Sequence, residues 1–174
     1  MERASSKSIL YLLVFVSFTY WMTFLTSPIF PLYVVQDLDA STLMLGLIMS
    51  ISSICSIIFR VPFGMIADRI GRWRMLTIAL AITGISFLLY FLAPTYVWLF
   101  PISILRAIAR SSFLPAASAV ASNIAPSSKE RGKTMGIYMT SISSALVLGP
   151  LLNSYLLDFL SFRHIFLVVA MIAF

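Results

Sequence analysis

Of the 174 residues, 60% are hydrophobic and 10% are charged, whereas soluble globular domains are roughly 45–50% apolar and about 25% charged. With a mean hydropathy of +1.01, a water-soluble monomer is excluded. The net charge of +6 comes from basic residues clustered between apolar runs, so it does not form a continuous nucleic-acid face, and no nucleic-acid partner is expected.

Met1 to Lys7 is basic, and the apolar run that follows, 9–30, exceeds the roughly 7–15 residues of a secretory signal core. It is expected to stay as a transmembrane helix, because about 20 apolar residues cross a hydrocarbon core of about 30 Å. Thr19, Thr23 and Thr26 fall on one face of it. Such hydroxyls commonly bond the backbone of their own or a neighbouring helix. A connection with Asp37 and Asp39 leads to a second span, 43–62, which contains the single cysteine, Cys55, expected to pack as a small hydrophobe.

The turn that follows, GMIADRIGRWR at 64–74, is the densest cluster of polar signal in the chain. Gly64 permits close helix approach, and Gly71 can supply a turn with positive φ. Asp68 stands among arginines, where charge-assisted hydrogen bonds can fix the turn. Spans three, four and five cover 75–93, 97–121 and 135–157, and Pro31, Pro94, Pro101 and Pro126 lie near span boundaries. A sixth begins near Phe162 and reaches Phe174, about 20 Å of helix, so it is expected to be cut off inside the membrane. The expected fold is an all-α membrane protein, a bundle of five complete transmembrane helices and a truncated sixth.

Arg106 and Arg110 lie inside span four. A charge near the bilayer centre costs at least about 2.5–3.5 kcal/mol on insertion scales, so such residues face a polar interior and mark function. At i, i+4 they share a helix face and repel. Every acid, Glu2, Asp37, Asp39, Asp68, Glu130 and Asp158, lies outside the spans or at their ends. The counter-charge is then a further part of the protein, an anionic substrate or cavity water, with structural pairing or snorkelling as the alternative. Of the twelve basic residues nine fall on one side, counting Arg3, Lys7, Arg60, Arg69, Arg72, Arg74, Lys129, Arg131 and Lys133, against Arg163 on the other. The positive-inside rule therefore predicts a cytoplasmic N-terminus. Tyr11, Tyr33, Tyr96 and Trp98 near span ends read as interfacial anchors. No nucleophile with a base, carboxylate pair, phosphate loop or metal-ligand cluster is present, and His164 has no obvious partner, so neither an enzyme nor a cofactor is expected.

Gly64, Asp68, Arg69, Gly71, Arg72 and Arg74 resemble the signature of the major facilitator superfamily, Gly-x-x-x-Asp-Arg/Lys-x-Gly-Arg followed by further basic residues, with Trp73 departing where a basic residue is usual. The resemblance implies that these residues form a conformational latch, whose Asp and Arg lock two halves of the molecule outward-open. The run from Pro115 to Ala119, and then Glu130 to Lys133, resembles the family's fourth helix and its exit loop, with Asn123 where an acid is often found. Arg106 resembles the arginine of the fourth-helix motif, although the glycine-rich run after it is absent and Arg110 takes one of its places. Gly149-Pro150, preceded by Ser141, Ser144 and Ala145, resembles a degraded antiporter motif, and is equally readable as a kink or close-packing site. Arg163 to Phe166 resembles the entry to the sixth helix.

The family fold has twelve helices in two halves, each of two inverted three-helix repeats with substrate between the halves. This chain resembles the N-terminal half: a single membrane domain over 1–174, with 9–93 as the first repeat and 97–174 as the second, incomplete one. The resemblance implies a secondary transporter in the plasma membrane, moving a small solute and tilted toward efflux of a drug-like or small organic molecule. It also makes Thr19, Thr23 and Thr26 candidate cavity residues beside Arg106 and Arg110. The implied partners are the lipid bilayer, a small-molecule substrate and a missing C-terminal half or a second half-length chain. The competing expectation is a truncated or non-transporting half-length membrane protein.

Overall fold

The computed structural model describes residues 2–26, 28–124 and 128–173, which hold helices and turns and no strand. The α-helices are α1 Glu2–Met22, α2 Ile29–Leu32, α3 Thr42–Ile70, α4 Arg72–Leu92, α5 Leu99–Ile124, α6 Ser128–Leu157 and α7 Phe162–Ala173. Pro126 and the last residue, Phe174, lie outside the described residues.

Of the five full-length spans expected, four are long and apolar enough to cross a membrane: Thr42–Ile70, Arg72–Leu92, Tyr96–Ile124 and Glu130–Leu157. The segments Ser8–Met22 and Phe162–Ala173 are shorter apolar helices. The expected continuous helix over 9–30 is therefore corrected. α1 stops at Met22, a 3-10 turn follows at Thr23–Thr26, and a π-turn at Tyr33–Asp37 succeeds α2. Pro28 is one cause, since its nitrogen has no hydrogen to donate and its ring crowds the carbonyl four residues back. The threonines are another, because Thr23 Oγ1 donates to the Tyr20 carbonyl and Thr26 Oγ1 to the Thr23 carbonyl at 3.0 Å. Such local bonds give the backbone an alternative to the helical ladder.

Helix bounds elsewhere run past the apolar runs, because hydropathy marks the edge of a bilayer and not the end of a hydrogen-bond ladder. Ser41 caps α3 by accepting from the Met44 N–H at 3.3 Å, and the helix continues through Pro62 to Ile70 rather than ending at 62. α6 starts at Ser128 instead of 135, taking in Glu130, Arg131 and Lys133.

The central elements are α4 and α5: 44% of the apolar window of each is buried, against 11% for α3 and 22% for α6. α3 and α4 each pack on α5, α4 packs on α7, and α1 packs on α6 and more lightly on α5. α3 leaves Ile57 and Val61 about two-thirds exposed. An apolar face of that kind is tolerable against lipid or a partner but not against water.

Two apolar clusters hold the bundle. One joins Tyr33, Phe87, Tyr90 and Phe166 at the end of the bundle that carries Asp37. The other joins Tyr20, Met75, Leu76 and Phe113 toward the basic end. Tyr33 is thus not the interfacial anchor expected of it. Its ring is fully buried and its hydroxyl donates to the Tyr90 carbonyl at 3.0 Å, while Tyr11 and Trp98 remain exposed. Cys55 is half-buried rather than in the core. At the same end Arg163 Nε lies 3.7 Å from Asp37 Oδ2, and Ser161 Oγ meets His164 Nδ1 at 2.6 Å, giving the histidine the partner that its sequence neighbours did not suggest.

A basic turn and a two-arginine cleft

α3 and α4 are joined by one residue, Gly71, with φ 98° and ψ 131°. That region is open in practice only to glycine, and a side chain there costs of order 1–3 kcal/mol. The Gly71 N–H donates to the Ala67 carbonyl and the Gly71 carbonyl accepts from the Met75 N–H, both at 3.1 Å, so the residue closes one helix and opens the next. Gly71→Ala is accordingly expected to lower stability by about 1–3 kcal/mol. A thermal unfolding midpoint in detergent that matches the wild type would contradict this.

The turn brings Asp68 and Arg72 together one helical turn apart. Asp68 Oδ1 accepts from Arg72 Nη2 at 3.1 Å and from Nε at 3.3 Å, while Arg72 Nη1 reaches across to the Ala119 carbonyl of α5 at 3.3 Å. Arg72 therefore links the α3–α4 turn to α5. Arg69 and Arg74 are exposed on either side of it. Gly64 lies on α3, where an added Cβ would meet nothing within 4 Å, so no described residue makes a close approach there.

A cleft of about 150 Å³ opens between the end of α1 and α3, α4 and α5. Its lining includes Arg106 and Arg110, with Ser52, Ser53, Thr83, Ser103, Tyr20 and Thr23, and with Phe30 and Ile48 on its apolar side. By helical rise the two arginines sit about 10 and 16 Å from the start of α5, well inside an apolar helix. The Arg106 Cζ lies 4.8 Å from the centroid of the Phe87 ring, a cation–π seat. Beside it the Tyr90 and Ser103 hydroxyls meet at 3.0 Å.

Of the residues expected at a cavity, the cleft brings together Thr23, Arg106 and Arg110. Thr19 is half-buried and Thr26 fully buried, and neither is among the residues lining it. Ser52, Ser53, Thr83 and Ser103 are lining residues that the sequence reading missed. Ser103, Arg106 and Arg110 follow i, i+3, i+7 spacing, a shared-face signal that was available. Gly149, buried, and Pro150, exposed, lie inside α6, which passes through both without interruption.

The sequence matches the family described as "Major Facilitator Superfamily" over residues 10–174. It is 31% identical to a Na(+), Li(+), K(+)/H(+) antiporter of Planococcus maritimus, over 91% of this chain and 37% of that protein. It is 34% identical to the multidrug resistance protein MdtG of Salmonella paratyphi A, over 86% of this chain and 38% of that protein. With the multi-drug resistance efflux pump PmrA of Streptococcus pneumoniae the identity is 28%, over 71% of this chain and 31% of that protein. Among solved structures, a bacterial homologue of the human lysosomal transporter Spinster, inward-facing and unoccupied, superposes with a TM-score of 0.74 at 18% identity. That match covers 99% of this chain and 42% of the other. The chain thus spans well under half the length of the proteins it matches.

Proposed function

Because the chain belongs to the major facilitator superfamily, we propose that it supplies one wall of the path of a secondary transporter that moves a small organic solute out of the cell. The observation that carries this reading is the cleft: two arginines set deep in an apolar helix, open on one side and ringed by hydroxyls. At about 150 Å³ it is smaller than the roughly 300–1,000 Å³ of a complete small-molecule site. A second wall would come from a further half of the protein or a second chain.

The efflux direction is supported by the two multidrug relatives, the antiporter relative being a reminder that ions are also moved in this family. A cytoplasmic N-terminus rests on the distribution of Lys and Arg along the sequence, and placement in the plasma membrane on membership of the family. Division into repeats at 9–93 and 97–174 is supported by part of the packing: exchanging spans one, two and three with four, five and six turns the α1·α6 pair into the α5·α3 pair and maps α4·α7 onto itself, while the extensive α4–α5 contact has only a slight counterpart in α1–α7. Within that scheme Gly64, Asp68, Arg69, Gly71, Arg72 and Arg74 act on conformation, and Gly149 and Pro150 shape span five. Thr23, Arg106 and Arg110 face solute, with Thr19 and Thr26 supporting the first helix behind them.

The test is accumulation of fluorescent cationic, neutral and anionic solutes in cells stripped of their own efflux pumps and expressing the full-length protein. Lower accumulation of at least one class is expected. Equal accumulation of all three, at verified membrane abundance, overturns the reading.

A further inference from the structure

Resting on that transport reading, we propose that the cleft takes a small organic anion that also carries a hydrogen-bond donor, a hydroxy or amino acid in chemical class. The charge follows from what lines the cleft. Arg106 and Arg110 place two positive groups there, and none of the six acids of the sequence is among the lining residues. A cationic solute would meet two like charges in a medium where charge interactions are stronger than in water. A carboxylate or phosphonate instead matches the fork of a guanidinium.

The need for a donor follows from the directions of the hydroxyl bonds. Thr23 donates to the Tyr20 carbonyl, Ser53 to the Met49 carbonyl at 2.9 Å, Thr83 to the Ala79 carbonyl at 2.7 Å and Ser52 to the Ser103 carbonyl at 3.4 Å. A hydroxyl has one proton to give and two lone pairs. With the proton committed to the backbone, a hydroxyl can only accept from a ligand, and Ser52 and Ser53, the more exposed of the four, are placed to do so. Guanidiniums and hydroxyls thus line one cleft, with Phe30 and Ile48 of the neighbouring apolar core at its edge.

Three probes of one shape separate the components: mandelate, an anion with a hydroxyl; phenylacetate, the same anion without it; and protonated benzylamine. Each is added at millimolar concentration to the full-length protein in nanodiscs, and the thermal unfolding midpoint is read. Mandelate is expected to raise it most, phenylacetate less and benzylamine not at all. Arg106→Gln and Arg110→Gln should each weaken the anion response about tenfold or more, as loss of a charged hydrogen bond implies, with Arg→Lys at the same positions retaining part of it. Where a Gln variant fails to fold, the ranking of probes on the wild type and the Lys variants decides. A response to benzylamine equal to that of mandelate, anion responses that survive both Gln substitutions, or no response to any probe would each overturn the proposal. Equal effects of mandelate and phenylacetate would overturn its donor component. The outcome separates from the transport reading: export of cationic solute unaltered by Arg106→Gln leaves transport standing and defeats the anion site, whereas Arg-dependent anion binding without flux does the reverse.

Discussion

Asp68→Asn is expected to lower solute flux at least about tenfold while moving the unfolding midpoint by only about a few degrees. The two effects separate because they draw on different quantities. Asp68 and Arg72 form an i,i+4 pair whose side chains are 65% and 32% exposed, and exposed helix pairs contribute only about 0.3–0.5 kcal/mol to stability. The same carboxylate, however, holds Arg72 so that its remaining nitrogen reaches the Ala119 carbonyl on α5. That contact joins the α3–α4 turn to α5. Hydrogen bonds to charged groups are worth roughly 1.5–3 kcal/mol, and a shift of about 1.4 kcal/mol between two transporter conformations changes their ratio tenfold. The same loss is a modest fraction of the roughly 5–15 kcal/mol that holds a typical domain folded, yet it is enough to tip a balanced conformational equilibrium. Arg72→Lys should behave like Asp68→Asn, since an ammonium keeps the charge but not the fork that serves two acceptors at once. Initial flux per unit of membrane protein, with the midpoint measured on the same preparation, tests this. Unchanged flux at equal abundance would remove the turn from the mechanism, and a midpoint that collapses together with flux would make it a structural brace.

The helices of this chain were largely legible because the bilayer imposes one rule on every span, a long apolar run with its backbone bonds closed internally. The first span was misread for the same reason. Hydropathy averaged over 9–30 outweighed Pro28 and Pro31, whose missing donors end the ladder locally. Tyr33 was misplaced because an aromatic near a span end is read as an anchor, whereas the π-turn at Tyr33–Asp37 carries it beneath α7. In the basic turn, the glycines and the aspartate were visible, but not which arginine Asp68 would hold. Arg72 is the one that faces it because the two stand at helical i,i+4 spacing, whereas the adjacent Arg69 does not share that face. The arginines of the cleft announced themselves by their cost in lipid. The serines and threonines did not, because a hydroxyl in a membrane helix ordinarily serves its own backbone, as Ser53 and Thr83 do here, and only packing reveals that a served hydroxyl also borders a cavity.

Phe166→Ala is expected to destabilise the bundle by about 3 kcal/mol. Phe166 is fully buried on α7, with its ring centroid 4.8 Å from that of Tyr33, 5.6 Å from Tyr90 and 6.3 Å from Phe87. Truncating a buried Phe to Ala in soluble cores costs about 3–5 kcal/mol, part transfer and part cavity. Between membrane helices the transfer part shrinks, since lipid is as apolar as the core, while lost packing remains, so the low end of the range is expected. The consequence is expected to extend past stability, because Phe87, which neighbours Phe166, is also the ring that Arg106 lies over, at 4.8 Å. Phe166→Leu, which refills most of the volume, should recover most of the midpoint. If Arg106 depends on its seat, Phe166→Ala and Arg106→Gln combined should reduce flux by less than the product of their separate effects, because residues that share a contact are not additive. Full multiplicativity would mean that the aromatic cluster holds α7 in place without positioning the arginine, and a midpoint unchanged in Phe166→Ala would mean that α7 contributes little to holding the bundle together.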